Sequence, residues 1–139
     1  MTGNKTLTMI KPDAMKLGHM GKIIDKFIEG GFNIRALKIL QLSLHEAELF
    51  YIIHKERPFY AELVKFMSSG PIVAAVLEKE NAVEEFRKFI GATDPAKADA
   101  GTIRNLFGTD IGNNAVHGSD SDENATQEAS FFFNQLERV

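Results

Sequence analysis

The sequence has 139 residues, of which 44% are hydrophobic and 25% charged, and its formal net charge is −3. A chain of this length fits one compact domain, and this composition excludes an intrinsically disordered protein. The absence of cysteine excludes disulfides, thiolate metal sites and a cysteine nucleophile, while the absence of a dense basic run argues against a stable nucleic-acid partner.

Hydrophobic periodicity and turn-forming residues predict nine elements along the chain. In order, they are a strand at 5–10, a helix at 20–28, a strand at 32–42, helices at 43–54 and 59–67, a strand at 72–77, a helix at 81–90, a strand at 115–117 and a helix at 124–136. Residues 92–113 show no clear period and are assigned to a loop, although a loop of this length in a compact domain is usually functional or misassigned.

Local signals refine four of these elements. The alternation of the second strand slips at Leu37, which predicts a strand with a β-bulge. Ser43 and Glu46 form a capping box that opens the next helix, and Asn81 is expected to cap a later one. The run 72–77 is apolar throughout, as expected of a central strand covered on both faces.

The order β-α-β-α-α-β-α-loop-β-α contains no internal repeat. It matches the split β-α-β type of fold, in which helices pack on an antiparallel sheet. We therefore predict the α+β class, with a ferredoxin-like, four-stranded antiparallel sheet, and a single domain over residues 1–139.

The densest cluster of polar residues surrounds His117. No glycine-rich phosphate loop of known spacing exists in the chain, so any bound phosphate has to be held by side chains. A Ser-His-Asp triad is unfavourable because Ser119 and Asp120 follow His117 too closely to align with it, and a metal site lacks a second ligand at suitable spacing. His117 could then act alone as a nucleophile or a proton shuttle, or it could be a half-buried histidine with a structural hydrogen bond.

Glu128 lies at the edge of the apolar stripe predicted for the last helix. That stripe consists of Ala125, Ala129, Phe132, Phe133 and Leu136. A carboxylate beside a buried stripe needs a hydrogen-bonding partner, and the imidazole of His117 is a candidate, since such a bond would fix its tautomer. The alternative is that Glu128 lies on a solvated helix face.

Three separate cations could converge on an anion. They are Lys11 after the first strand, Arg87 in the helix after Asn81, and Arg104 in the long loop. Phosphoryl transfer needs several positive groups around the phosphates, usually with Mg²⁺, although each residue alone is also compatible with a solvated side chain. Phe59 is either a core aromatic or an exposed surface on which a base stacks.

Six segments, in the expected order, resemble the nucleoside diphosphate kinase family. The segment similar to the active-site signature of that family is Asn114–Asp120, and the others are Thr8–Asp13, Glu56–Tyr60, Ser69–Pro71, Gly91–Pro95 and Gly101–Arg104. The resemblance implies a ferredoxin-like core and a ping-pong reaction. ATP would donate its γ-phosphoryl group to His117, and the phosphohistidine would then phosphorylate a (deoxy)nucleoside diphosphate.

The resemblance also implies roles for individual residues. Glu128 would orient the imidazole of His117, with Ser119 nearby. The nucleotide would be contacted by Lys11 and Asn114 at the sugar and phosphates, by Arg87, Thr93 and Arg104 at the phosphates, by Phe59, Leu63 and Ile111 at the base, and by Tyr51 beside His117. No residue is assigned to a metal, because Mg²⁺, the implied cofactor, would be held mainly by the nucleotide phosphates and water.

The implied ligands are nucleoside di- and triphosphates, and the implied assembly is a homo-oligomer, either a tetramer or a hexamer. No membrane partner is expected, because the longest apolar run, Ile72–Leu77, is far shorter than the roughly 20 residues of a spanning helix. The N-terminus lacks the apolar stretch of a secretory signal, so the expected location is the cytoplasm. Asn105-Leu106 departs from the residues that usually follow Arg104 in this family.

A rival interpretation is a non-catalytic nucleotide-binding module on the same fold, since fold alone does not determine function. A pure binding protein would not need a nucleophile aligned by a carboxylate. The complete set His117, Lys11, Arg104 and Glu128 therefore favours the enzyme. A small sheet-based nucleic-acid binder fits the fold, but the acidic charge and the lack of paired exposed aromatics argue against it.

Overall fold

The computed structural model describes residues 3–139, and within that range the chain forms four strands, seven α-helices and three short 3₁₀ turns. The strands are β1 (Lys5–Ile10), β2 (Asn33–Leu40), β3 (Ile72–Glu78) and β4 (Val116–Gly118). The helices are α1 (Pro12–Lys16), α2 (Met20–Glu29), α3 (Leu44–Phe50), α4 (Tyr60–Met67), α5 (Ala82–Ile90), α6 (Ile103–Phe107) and α7 (Asp122–Phe132). The 3₁₀ turns span Ile52–His54, Pro95–Lys97 and Gln135–Glu137.

The four strands form one antiparallel sheet in the order β2-β3-β1-β4. Strand β1 lies between β3 and β4, so that Met9 pairs with Ala74 on one side and with His117 on the other. The predicted α+β class and the four-stranded antiparallel sheet are confirmed. This order brings the segment that follows β1 next to the segment that contains β4, although the two are far apart in sequence.

Helices cover both faces of the sheet, and β3 is buried between them. On one face the core includes residues of α3, α4 and α7, and on the other it includes residues of α2, α5 and α6. The side chains of β3 alternate between the two cores, with Ile72, Ala74 and Val76 in the first and Val73, Ala75 and Leu77 in the second. Each large apolar side chain buried in this way stabilises the fold by roughly 1.5–3 kcal/mol. The prediction of a strand covered on both faces is confirmed.

The bulge predicted in the second strand is confirmed, and it lies at Arg35 of β2. The pairing register with β3 shifts between Ile34 and Ala36, so Arg35 is the residue without a partner in that strand. Its carbonyl instead accepts a hydrogen bond from the N–H of Val139 at 2.9 Å. Because Arg35 is polar, the change of phase becomes visible in the hydrophobic pattern only two residues later, at Leu37.

Two helix starts were predicted, with different outcomes. The capping box of α3 is confirmed, since Ser43 Oγ accepts from the N–H of Glu46 at 3.1 Å and Glu46 Oε1 accepts from the N–H of Ser43 at 2.8 Å. This helix ends at Phe50, and a 3₁₀ turn replaces its predicted last turn. Asn81 is the N-cap residue of α5, as predicted, but its side chain makes no capping hydrogen bond. Asn81 has a left-handed φ of 54°, and its amide donates to Glu84 Oε2 at 3.0 Å instead of accepting from the helix.

Helix α7 begins earlier and ends earlier than predicted. It begins earlier because Ser121 Oγ accepts a hydrogen bond from the N–H of Asn124 at 3.1 Å. Phe133 packs into the core and is 3% exposed, as predicted. The chain then leaves the helix because Asn134 caps a separate 3₁₀ turn. Leu136 lies in that turn and is 94% exposed, so its predicted inward position was wrong.

The short helices α1 and α6 were not predicted. Helix α1 starts with Pro12, whose fixed φ suits the first helical position. Helix α6 lies inside the segment 92–113, so the assignment of that whole segment to a loop was wrong. It opens because Thr102 Oγ1 accepts the N–H of Asn105 at 3.3 Å, and it places Arg104 in its first turn.

Candidate active site

Strand β4 holds the backbone of His117 between β1 and α5. The carbonyl of His117 accepts a hydrogen bond from Thr8 Oγ1 of β1 at 2.7 Å. At the next position, a Cβ on Gly118 would come within 3.1 Å of the ring of Phe86 on α5. The strand is therefore packed closely on one side and hydrogen-bonded on the other, which leaves His117 little freedom to move.

A carboxylate and a hydroxyl hold the imidazole of His117. Its Nε2 lies 2.7 Å from Glu128 Oε1, and Ser119 Oγ donates to the same oxygen at 2.8 Å. The side chains of His117 and Glu128 are 18% and 16% exposed, and Ser119 is fully buried. Ser119 Oγ in turn accepts a hydrogen bond from the N–H of Leu7 at 3.2 Å. These contacts exclude a solvated helix face for Glu128.

The contact with Glu128 determines which nitrogen of His117 is free. An ionised carboxylate can only accept hydrogen bonds, so the ring proton lies on Nε2 and the lone pair lies on Nδ1. Within residues 3–139, Nδ1 has no hydrogen-bonding partner. His117 also lines a hollow of about 120 Å³ together with Tyr51, Arg87 and Asp120. The site therefore combines an oriented imidazole with an unprotonated nitrogen beside a cavity.

A chain of hydrogen bonds joins Lys11, Asn114 and Thr93. Lys11 Nζ donates to Asn114 Oδ1 at 2.9 Å, and Asn114 Nδ2 donates to the carbonyl of Thr93 at 3.1 Å. Asn114 is 3% exposed, and Lys11 is half-buried. Burial and the nearby charge of Arg104 lower the pKa of Lys11 to about 8, against an opposing effect of Asp13. The ammonium group is thus poorly compensated, which favours binding of an anion.

Arg104 is held by two backbone carbonyls. Its terminal nitrogens donate to the carbonyl of Gly91 at 3.1 Å and to that of Val116 at 2.9 Å. Burial and the neighbouring Arg87 lower the pKa of Arg104 to about 10, so it remains charged at neutral pH. A guanidinium has four terminal N–H groups, so this anchoring leaves others available for a ligand.

Two of the three predicted cations, Arg87 and Arg104, line a cationic hollow of about 500 Å³, whereas Lys11 lines a different hollow. Its charged lining consists of Arg87, Lys88, Lys97, Arg104, Glu84 and Asp99. The cations outnumber the carboxylates, and Thr93 and Thr102 add hydroxyl groups to the same wall. A concave surface with an excess of positive charge attracts phosphates.

A third hollow, of about 570 Å³, has an apolar mouth. Phe59, Leu63 and Ile111 line it together with Lys11 and Asn114. Phe59 is 48% exposed and Ile111 is 61% exposed. The core alternative for Phe59 is therefore excluded, and its ring is available to a ligand.

Tyr51 is buried next to the catalytic candidates. It is 6% exposed, and its hydroxyl has no hydrogen-bonding partner within residues 3–139. Burial and the charge of Glu128 raise the pKa of this hydroxyl, so it stays protonated and can act as a donor. The ring packs edge-on against Phe50, which also contacts the ring of His117.

The three hollows share residues at their borders. Thr93 lines both the apolar-mouthed hollow and the cationic hollow, and Arg87 lines both the cationic hollow and the one at His117. Every predicted site residue except Ser119 lines at least one of them, and Ser119 lies behind Glu128. The sequence-predicted residues are thus brought together along one surface.

A family model described as nucleoside diphosphate kinase matches residues 4–138. The chain belongs to the nucleoside diphosphate kinase family. A nucleoside diphosphate kinase from Flavobacterium psychrophilum is 59% identical over 133 residues, which are 96% of each chain. One from Persephonella marina is 54% identical over 139 residues, which are 100% of this chain and 99% of the relative.

Solved structures of nucleoside diphosphate kinases agree with this assignment. The Aquifex aeolicus enzyme superposes with a TM-score of 0.96 at 52% identity, covering 98% of this chain and 99% of that one. The Halobacterium salinarum enzyme in complex with CDP gives a TM-score of 0.92 at 34% identity, with coverages of 99% and 92%. The resemblance and the ferredoxin-like fold are confirmed. As a nucleoside diphosphate kinase, the protein transfers the γ-phosphoryl group of ATP to nucleoside diphosphates through a phosphohistidine.

Several residues around the site of this nucleoside diphosphate kinase were missed by the sequence reasoning. They are Thr8, Asp13, Phe50, His54 and Asp120. Thr8 and Asp13 act through backbone groups of distant residues, and no sequence pattern marks such a contact. Asp120 was given no role beyond the rejected triad and its place in the segment Asn114–Asp120, and His54 marked only the end of the helix predicted at 43–54.

Among residues 3–139, no group of three or more His, Asp and Glu side chains has the geometry of a metal site. In the same range no helix is both long and apolar enough to cross a bilayer. One carboxylate other than Glu128, that of Asp120, lines the hollow at His117.

The lowered pKa of Lys11 predicts how activity depends on pH. The Lys11 side chain carries a positive charge below about pH 8, and it loses its proton and that charge as the pH rises through this value. We therefore expect kcat/KM to fall above pH 8, and kcat to fall only at higher pH, because bound phosphates favour the charged form. Rates measured as a function of pH for the wild type and for Lys11→Arg would test this, because the guanidinium of the variant keeps its charge above pH 8. If kcat/KM of Lys11→Arg fell above pH 8 as it does in the wild type, the fall could not be assigned to Lys11.

Proposed function

We propose that His117 is the residue that this nucleoside diphosphate kinase phosphorylates. The observation that supports it most directly is the 2.7 Å contact between Nε2 and Glu128 Oε1, since it leaves Nδ1 unprotonated. A binding module on the same fold would gain nothing from this arrangement. The nucleophile is also close to the excess of positive charge, because Arg87 lines both hollows.

The reaction then proceeds in two balanced steps. Nδ1 of His117 attacks the γ-phosphorus of ATP, a P–N bond forms, and the bond to the bridging oxygen breaks, so that ADP leaves with the electron pair. The proton on Nε2 stays in its hydrogen bond to Glu128, which stabilises the positive charge that develops on the ring. In the second step, a terminal phosphate oxygen of a nucleoside diphosphate attacks the phosphorus, and the electron pair of the P–N bond returns to Nδ1.

Three cationic side chains and the amide of Asn114 would position the phosphates. We assign Arg87, Arg104 and Thr93 to the phosphate oxygens, and Lys11 with Asn114 to the sugar and the adjoining phosphate. Apart from the covalent step at His117, phosphoryl transfer depends mainly on positioning the phosphates and neutralising their charge. The hydroxyl of Tyr51, which lacks a protein partner within residues 3–139, would donate to a phosphate oxygen beside His117.

The apolar mouth would hold the base. Phe59 would stack on it, with Leu63 and Ile111 on the sides of the slot. Stacking depends on a π-face that every base has, so we expect broad tolerance of the base. The Halobacterium relative binds CDP, and we extend nucleotide binding of that kind to this chain.

Mg²⁺ fits the site as an ion that enters with the nucleotide. Mg²⁺ in phosphate-transfer sites keeps several waters and uses one or two carboxylates plus substrate phosphates. The carboxylate available beside the nucleophile is Asp120, whereas the neighbouring hollow has an excess of cations. When bound, the ion would neutralise phosphate charge, and Asp120 would contribute at most one ligand or hold its waters.

The phosphohistidine is tested by the intact mass of the protein after brief exposure to ATP and Mg²⁺. We expect one added phosphoryl group that is acid-labile and that disappears on addition of a nucleoside diphosphate. An acid-stable adduct would place the phosphoryl group on a residue other than a histidine and contradict the proposal. No adduct under conditions in which ATP binds would also contradict it and would support the binding module.

Substitution Glu128→Gln tests the orientation of the nucleophile. The amide keeps the shape but can present its NH₂ group to Nε2, and the charge that stabilises the phosphorylated ring is lost. We expect kcat to fall about 10- to 100-fold with little change in nucleotide affinity. Steady-state kinetics and calorimetric titration with ADP would measure both. Loss of affinity with unchanged kcat would show that Glu128 is only structural.

We also propose that the enzyme is a homo-oligomer, a tetramer or a hexamer. Support comes from apolar side chains left exposed on β2 and α2, namely Leu37 at 48%, Ile39 at 60% and Ile28 at 60%. Native mass spectrometry would measure the subunit number. The cytoplasmic location stays a prediction, which cell fractionation would test.

A further inference from the structure

A strained backbone turn separates Asn114 from His117. The N–H of Val116 donates to the carbonyl of Asn114 at 2.9 Å, and Ala115 between them has a φ of +72°. A three-residue turn with a positive φ is the rare and strained form of the γ-turn. Since Ala115 has a Cβ, this conformation persists only where surrounding contacts enforce it.

The segment after β1 supplies those contacts. Asp13 Oδ2 accepts a hydrogen bond from the N–H of Ala115 at 3.1 Å. The carbonyl of Ala115 accepts one from the N–H of Lys11 at 2.8 Å. Ala115 itself is fully buried, so water cannot replace either bond. Both backbone polar groups of Ala115 are thus hydrogen-bonded to one short segment. Asp13 is the one residue of that segment that does so through its side chain.

We propose that Asp13 is a positioning residue for phosphoryl transfer, whose carboxylate holds Ala115 in the left-handed conformation and thereby sets the positions of Asn114 and His117. The inference rests on the proposed role of His117. Asp13 does not line the hollow at His117, the cationic hollow or the apolar-mouthed hollow. Asp13 lines a separate hollow of about 810 Å³, which shares Phe66 and Asn113 with the apolar-mouthed one. The contact that links Asp13 to the catalytic segment is the hydrogen bond to the N–H of Ala115, so we assign its effect to the backbone.

A different role for Asp13 has to be separated from this one. Its charge also raises the pKa of Lys11 and so supports the ammonium group. If that were its main contribution, the conformation of Ala115 would be irrelevant. The two roles are distinguished by making the left-handed conformation accessible without Asp13, and glycine at position 115 does this because it lacks a Cβ.

The test is a set of variants compared by the single-turnover rate of His117 phosphorylation by ATP. We expect Asp13→Ala to lower this rate about 10- to 100-fold, with a smaller change in KM, because the nucleophile is misplaced. Ala115→Gly alone should stay near the wild-type rate. The double variant Asp13→Ala/Ala115→Gly should return to within about threefold of Ala115→Gly, because glycine tolerates the turn. Asp13→Asn, which keeps an oxygen acceptor, should lose less than Asp13→Ala.

The proposal is overturned if Asp13→Ala has no effect, or if glycine at position 115 fails to restore the rate. The matched control is Asp25→Ala, an exposed aspartate on α2, which should leave the rate unchanged. Urea unfolding checks that each variant is folded. If Asp13→Ala alone does not fold, the double variant is compared with Ala115→Gly directly. A wild-type enzyme without a phosphohistidine would reject the role of His117, whereas an adduct without rescue would reject only the role of Asp13.

Discussion

Replacement of His117 by alanine is expected to abolish turnover and to leave nucleotide binding intact. The imidazole is the only covalent carrier in the proposed mechanism, so its loss should lower kcat by at least about 10⁴-fold, as for other enzymes without their nucleophile. Binding should survive because Lys11, Arg104 and Phe59 lie in other parts of the surface. Coupled assays would measure kcat, and titration with ADP and Mg²⁺ would measure affinity.

The matched control for this variant is His45→Ala. The side chain of His45 is 80% exposed and lies outside the hollow at His117. It should retain both turnover and the phosphorylated intermediate. Turnover that persists in His117→Ala would remove the covalent mechanism, and loss of ADP binding would show that the variant had lost more than its nucleophile.

Replacement of Arg104 by methionine is expected to have the second-largest effect. The variant removes a cation from the phosphate region, and loss of one preorganised donor of this kind lowers kcat by about 10²- to 10³-fold. It also leaves the carbonyls of Gly91 and Val116 without their donors, which should lower the free energy of unfolding by roughly 1–3 kcal/mol. Rapid-quench kinetics and urea unfolding would measure the two effects separately.

Lys97→Met is the matched control, because Lys97 is an exposed cation on the same hollow with no hydrogen bond to the backbone of β4. We expect it to change kcat by less than about threefold, because exposed charges contribute little. Equal losses in the two variants would show that only the total charge of the hollow matters. An Arg104→Met enzyme with lower stability and normal kcat would make Arg104 a purely structural residue.

The fold was predictable where hydrophobic periods are long. Strand β3 shows an unbroken apolar run, and α2 repeats its apolar residues over nearly three turns, so both were found. Helices α1 and α6 have five residues each, too few to display a period of 3.6. The bulge at Arg35 and the exit of Leu136 from the core depend on backbone contacts, which the side-chain pattern does not display.

The candidate site was predictable to the extent that side chains pair with side chains. A carboxylate at the edge of an apolar stripe suggested a partner for His117, and the structure places Glu128 there. Asp13 shows the limit of this reasoning. Its partner is the backbone N–H of a residue 102 positions away, and every non-proline residue has such a group. Only the strand order β2-β3-β1-β4 brings the two together.

That strand order also bears on synthesis of the enzyme. Strand β1 leaves the ribosome first, but the strand that covers one of its edges, β4, comes more than a hundred residues later. Until β4 is synthesised, one edge of β1 has unpaired backbone N–H and C=O groups. Such an edge can pair with a strand of another chain and so favours aggregation. The same late segment contains His117 and is followed by Glu128, so phosphoryl transfer can begin only once that edge is closed.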